Sequence, residues 1–333
     1  MQALGFSSND AQPTLFEQDM PQALGHDLLI EIEAIAVNPV DTKVKAAIQG
    51  NLIEPKIVGW DAAGTVVAVG ENVGLFQPGD KVFYAGDVSR PGCYASHQLV
   101  DERIVGHAPK SVSATHSAAL PLTSITAWEA LFSRLKITDA DKGKTILIIG
   151  GAGGVGSIAI QLAKQLAELQ VITTASHSKS EQWCQKMGAD YIINHHSDLP
   201  VQYRELGVED PDFILCLNNT DKHFTAMAEL IAPQGTICTI VGTQEKHDLD
   251  CLKTKSAGFV WEFMFSRPLF KTSDMIKQHH LLNSIAQLID DKKIVSTLNS
   301  TLGPISSKNI NLAHQQLISG STIGKIALTA ITD

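Results

Sequence analysis

The chain has 333 residues, 44% hydrophobic and 18% charged, enough for two domains or one large α/β unit. Its net charge of -9 argues against nucleic acid or an anionic membrane as a main partner. No apolar run reaches the length of a membrane span, and the opening MQALGFSSND has no basic region followed by an apolar core. Five cysteines (Cys93, Cys184, Cys216, Cys238 and Cys251) are scattered and never form a C-x-x-C pair, so reduced thiols in the cytoplasm are the expectation.

Up to about residue 115 the pattern is strands and turns. Residues 28–36 (LLIEIEAIA) alternate apolar and acidic positions, which predicts a half-buried strand. Residues 64–69 and 81–84 read likewise, with Gly70, Gly74 and Pro78-Gly79-Asp80 as turn signals. A helix is predicted over 121–131. From Thr145 strands and helices alternate: strands at 145–149, 170–174, 191–194, 213–217 and 236–242, helices at 179–187 and 223–231. Such alternation predicts a doubly wound parallel sheet. A long amphipathic helix at 275–290, a shorter one at 310–318 and a strand at 325–330 follow, the last with the β character of the first hundred residues.

The stretch 145–164, TILIIGGAGGVGSIAIQLAK, carries the chemistry. Five apolar or β-branched residues without alternation suit a strand buried on both faces. Gly151, Gly153 and Gly156 then fit G-x-G-x-x-G between that strand and a helix. Glycine permits the tight turn and lets backbone approach a pyrophosphate, while the helix N-terminus offers free N–H groups. A glycine cluster alone also suits a plain turn; the flanking strand and helix favour the dinucleotide reading. A Walker-type loop is excluded because Ser157 stands where that loop needs lysine. NAD-preferring folds place Asp or Glu at the end of the second strand, yet 169–180 contains no acid. Ser176, His177, Ser178 and Lys179 stand there instead, suited to a 2′-phosphate and so to NADPH; a solvated loop is the alternative.

These segments together resemble the medium-chain dehydrogenase/reductase superfamily, in its quinone oxidoreductase (zeta-crystallin-like) branch and, within it, the zinc-type alcohol dehydrogenase-like subgroup. The resemblance rests on 143–164, on VNPVDTK at 37–43, GWDAAGTV at 59–66, PGDKV at 78–82, PLTSITAWEAL at 121–131 and WEFMFSRPLF at 261–270. It implies an α/β fold: a GroES-like β-barrel catalytic domain over 1–122 and 297–333, and a Rossmann doubly wound parallel sheet over 123–296. It implies cofactor contacts from Thr126, Gly151, Gly153, Gly154, Val155, Gly156, Ser176, Lys179, His195, Asn218, Val241, Gly242 and Thr243. His195 stands where related reductases have a tyrosine. Asn38, Asp41, Thr42, Trp60 and Tyr84 are expected to line the catalytic side, with the reactive end between domains.

Zinc-dependent relatives draw ligands from three positions that here hold Asn38, Trp60 and Leu122, and Cys93 stands alone where a four-cysteine lobe would be. No metal is expected. The pairs His195-His196 and His279-His280 read as surface histidines. Trp60 either stacks on a planar substrate or packs. The expected function is zinc-independent, NADPH-dependent hydride transfer to a quinone or activated enone or carbonyl. The alternatives are an NADPH-binding structural or sensor protein and, less favoured, a zinc alcohol dehydrogenase. The family also implies a homodimer, with 257–265 (AGFVWEFMF) as a candidate sheet edge or a substrate-side lid.

Overall fold

The computed structural model describes residues 1–332, in two compact units. One holds 1–125 and the chain from 265 onward; the other holds 126–264.

In the first unit, β1 (Gln2–Gly5) and β2 (Thr14–Glu17) form a two-stranded antiparallel sheet. The strand β3 (Asp27–Ala36), the helix α1 (Pro39–Ala46) and the strands β4 (Ala62–Val69), β5 (Lys81–Tyr84), β6 (His97–Asp101) and β7 (Val105–His107) follow, then α2 (Ala114–Ala118). The alternation expected in β3 holds in its middle, where Glu31 is exposed and Glu33 half-buried between buried Ile30, Ile32 and Ala34. Towards both ends, at 28–30 and 34–36, consecutive residues are buried on both faces, while the edges of β3 pair with β4 on one side and with β6 and a later strand on the other.

The helix α3 (Pro121–Trp128) leads into the second unit. The single helix expected over 121–131 changes pitch at Glu129, since Glu129–Arg134 is a π-helix. The unit then alternates β8 (Thr145–Ile149), α4 (Gly154–Gln165), β9 (Gln170–Thr174), α5 (Ser178–Met187), β10 (Tyr191–Ile193), α6 (Leu199–Glu205), β11 (Phe213–Cys216), α7 (Thr220–Leu230), β12 (Thr236–Thr239) and β13 (Gly258–Trp261). All six strands are parallel in the order β10-β9-β8-β11-β12-β13, and β8 is buried along its whole length. The order reverses direction at β8, the switch point where doubly wound sheets open a crevice at the carboxyl ends of their strands.

The chain returns to the first unit at Phe265, well before the expected residue 297. The elements α8 (Ser266–Leu269), α9 (Lys277–Asp290), β14 (Leu298–Pro304), α10 (Ser307–Ile318) and β15 (Lys325–Thr329) complete it, giving a sheet ordered β14-β15-β3-β4-β5-β7 with β6 on β3. The reason is α9. Its Asn283 carboxamide accepts from His107 N–H (2.9 Å), and Asp290 accepts from Lys110 and Ser111 N–H (3.1 and 2.8 Å). His279 corrects the expectation of a surface pair: it is buried, with Nδ1 donating to Val105 O at 2.6 Å and Nε2 accepting from Asn283 at 2.9 Å.

Candidate active site

The glycine turn after β8 divides its work among residues. Gly150 has φ +96°, a left-handed backbone that favours glycine. A Cβ on Gly151 would lie 2.0 Å from Thr173 Oγ1, so this glycine lets the turn close on β9. A Cβ on Gly156 would lie 2.4 Å from Gly150 O, so this one lets α4 pack on the turn. Gly153 differs: a Cβ there meets nothing nearer than 3.7 Å. It is the residue before the first turn of α4, with extended backbone and no close contact beside it. Thr174 fixes the turn, accepting from Gly150 N–H through Oγ1 (2.9 Å) and from Gly151 N–H through its carbonyl (3.2 Å). Gly154 and Val155 open the helix, whose first N–H groups have no intrahelical acceptor and suit an anion. The cradle fits a dinucleotide pyrophosphate.

The other expected cofactor residues follow the carboxyl ends of neighbouring strands. Ser176 and Lys179 follow β9, with Lys179 exposed on the first turn of α5. His177 caps that helix, its Nδ1 accepting from Ser180 N–H (3.3 Å). His195 follows β10, half-buried, with Nδ1 unpartnered and Lys222 Nζ donating to its carbonyl at 3.2 Å. Burial, and then His196, Lys222 and His177, hold its imidazole below the usual range. Asn218 follows β11, exposed, and Val241-Gly242-Thr243 follow β12. That last turn is pinned from α7: Thr220 Oγ1 donates to Val241 O (2.6 Å), and Asp221 accepts from Gln244 N–H (2.9 Å) and His247 Nε2 (2.6 Å). Thr126 is buried at the start of this unit.

In the first unit two of the sequence candidates, Asn38 and Asp41, belong to a buried polar cluster, and Thr42, Trp60 and Tyr84 stand outside it. Lys325, on β15, is 4% exposed, and its ammonium donates to Asp61 Oδ2 (2.9 Å), Val37 O (2.9 Å) and Asn38 Oδ1. Three acceptors use its three protons. Asp61 also accepts from Asn38 Nδ2 (2.9 Å) and Leu122 N–H (2.8 Å). Asp41 accepts from Asn38 N–H and from the Tyr94 hydroxyl, both at 2.9 Å, and Tyr94 reaches His314 Nε2 at 2.9 Å. Burial pushes the Asp41 carboxyl up to about 7 and the His314 imidazole down to about 4. Thr42 is half-buried and donates to Pro39 O (2.8 Å). Trp60 is fully buried, its indole N–H donating to Asp87 O at 3.0 Å and its ring meeting Phe265 edge-on at 6.3 Å. Tyr84 is fully buried with an unpartnered hydroxyl.

These residues do not fit zinc. Both polar atoms of Asn38 are committed, Trp60 offers no lone pair, and Leu122 offers no side-chain donor. Burial, and then the Asp41 carboxyl, push the Cys93 thiol well up, away from the thiolate a metal needs. Among the described residues no group of three or more His, Cys, Asp or Glu is placed to hold a metal.

Sequence reasoning missed a buried acid pair in the second unit. Glu262, just after β13, accepts from Arg134 Nε at 2.7 Å, and the same guanidinium lies 3.9 Å from Glu129 on the π-helix. Burial, and then Glu129, push Glu262 up to about 8.

Two family models match: a zinc-binding dehydrogenase model over 154–276 and an alcohol dehydrogenase GroES-like domain model over 24–110. A zinc-type alcohol dehydrogenase-like protein of Staphylococcus aureus (strain MSSA476) is 46% identical over 318 residues, 94% of either chain. The chain belongs to this family. Zinc-type alcohol dehydrogenase-like proteins are medium-chain dehydrogenase/reductases, and the chain is an oxidoreductase of that superfamily with its α/β fold and GroES-like domain. A solved structure from Rhizobium etli CFN 42, assigned to the zinc-dependent alcohol dehydrogenases, superposes with TM-score 0.95 at 43% identity, covering 100% of this chain and 99% of that one. The quinone oxidoreductase of Escherichia coli, solved in complex with NADPH, has TM-score 0.84 at 22% identity over 99% of this chain and 100% of that one, and shares the fold.

Proposed function

We propose that this chain is a zinc-independent, NADPH-dependent oxidoreductase that reduces a quinone or an activated enone or carbonyl. The observation that carries the cofactor reading is the crevice end after β9, where Ser176 and Lys179 stand without an acid and His195 and Lys222 add basic groups. A ribose 2′-phosphate suits that charge, and a bare ribose would leave it uncompensated. The Escherichia coli relative that binds NADPH supports the reading through its fold.

Bound NADPH supplies a hydride, and this chain's residues hold the dinucleotide. The glycine turn and the start of α4 take the pyrophosphate, the 241–243 turn and Thr126 take the nicotinamide end, and Ser176 and Lys179 orient the ribose phosphate. A quinone suits a site whose ligand positions hold Asn38, Trp60 and Leu122, because its reduction gives an aromatic product and needs no Lewis acid; water supplies the proton. The full burial of Trp60 supports packing there over stacking on a planar substrate. The exposed Trp261 and Phe263 about the edge strand β13 support a homodimer joined at that edge, and the reduced cysteines a place in the cytoplasm.

Fluorescence titration tests the cofactor reading: NADPH binds at least about tenfold tighter than NADH, a gap of ~1.4 kcal/mol. Equal curves overturn it. Oxidation of NADPH with a panel of quinones and enones, run with and without chelator, tests the rest; turnover that chelator abolishes restores a zinc enzyme.

A further inference from the structure

We propose that Lys222 supplies the third contact to the ribose 2′-phosphate, the role that a tyrosine takes in related reductases and that His195 leaves open here. The inference rests on the NADPH reading above and gives Lys222, there only one of several basic groups, a specific contact.

The topology places Lys222 where it must be. It sits on the first turn of α7, after β11, yet its ammonium donates to the carbonyl of His195, after β10. In the sheet β10 and β11 are separated by β9 and β8. The loop after β10 and the Lys222 side chain therefore meet at the carboxyl end of the sheet, the end at which the glycine turn and Ser176 also stand. Only one of the three ammonium protons is used at His195 O.

The charge around this meeting point is one-sided. Burial comes first, but Lys222 is among the groups that disfavour protonation of His195, as a cation does. Lys222 acts the same way on His223. Lys179 stands exposed on the neighbouring first turn of α5, and His195 Nδ1 is enclosed without a hydrogen-bond partner. The neighbouring Asp221 is already taken by Gln244 N–H and His247, so cations collected here repel one another until an anion joins them. A phosphate with about two negative charges and three acceptor oxygens is suited to do so.

Competition titrations of the full-length protein with 2′,5′-ADP and ADP, which differ in the 2′-phosphate, test this. Lys222→Gln should weaken 2′,5′-ADP binding about tenfold, the loss of one charge-assisted contact, and leave ADP binding nearly unchanged. Lys222→Arg should restore most of the loss. If Lys222→Gln keeps the full preference for 2′,5′-ADP, or weakens both ligands alike, Lys222 is not a phosphate contact and the NADPH reading stands. If the unmutated protein binds both ligands equally, both readings fall together.

Discussion

The polar cluster of the barrel unit and the glycine cradle of the nucleotide unit are built on opposite plans. In the first, Lys325, Asp61, Asn38, Asp41, Tyr94 and His314 bond mainly to one another inside the protein, with Asp41 Oδ1 and His314 Nδ1 left over. In the second, Gly153 is uncrowded, the first N–H groups of α4 have no intrahelical acceptor, and Lys179 stands exposed. A site whose polar groups bond mainly to one another resists change and gains little from a ligand. A site assembled from unpaired donors and cations depends on its ligand for completion. The chain therefore invests charge in fixing the barrel and withholds side chains where a cofactor must come close.

Lys325→Met breaks the comparison most severely, since it leaves Asp61 buried without its cation. Removing one partner of a buried ion pair costs ~3–5 kcal/mol, read here by urea unfolding. A loss below about 1 kcal/mol would mean that the cluster behaves like an exposed pair. On the other side, Gly156→Ala adds a Cβ 2.4 Å from Gly150 O and 2.6 Å from Gly151 Cα, so the turn must shift. Cofactor affinity should fall at least about tenfold, ~1.4 kcal/mol, as backbone donors leave their positions. Unchanged affinity would mean that the turn adapts. The smallest effect concerns Glu262. Its carboxyl, raised to about 8, keeps in the folded chain a proton that the unfolded chain loses near 4.5. This contribution to stability is complete below 4.5 and is lost as pH rises to about 8. Glu262→Gln should therefore flatten the fall of melting temperature with pH in that window. A variant that retains the full slope would place the titration elsewhere.

What the sequence disclosed was local. The unbroken apolar run of β8, the glycines and α4 lie within 20 residues, and each constrains its neighbour. The ends of the later strands followed from turn signals to within a residue or a few. Partnerships across the fold were hidden. Nothing near Lys325 indicates that its ammonium meets Asn38 and Asp61, some 260 or more positions earlier. Glu262 stands in an apolar-looking segment, and only folding brings Arg134 to it. His279 was within reach: Leu282, Ala286 and Ile289 repeat on its helical face and are buried with it, so the 3.6-residue period places it inward. The adjacent exposed His280 concealed that signal.

Lys325 also imposes an order of events on the chain during synthesis. Strands β3 and β4, with Asn38 and Asp61, emerge long before β15, and the whole nucleotide unit is made between them. Until β15 pairs with β3, Asp61 has no cation and must stay hydrated, so the barrel cannot dry its interior early. The nucleotide unit, whose strands come from one uninterrupted stretch, is free to condense first. The barrel's closing step is then a late insertion that seals strand and charge together, and a nascent chain stalled before β15 exposes an acidic, unfinished sheet edge to whatever holds it.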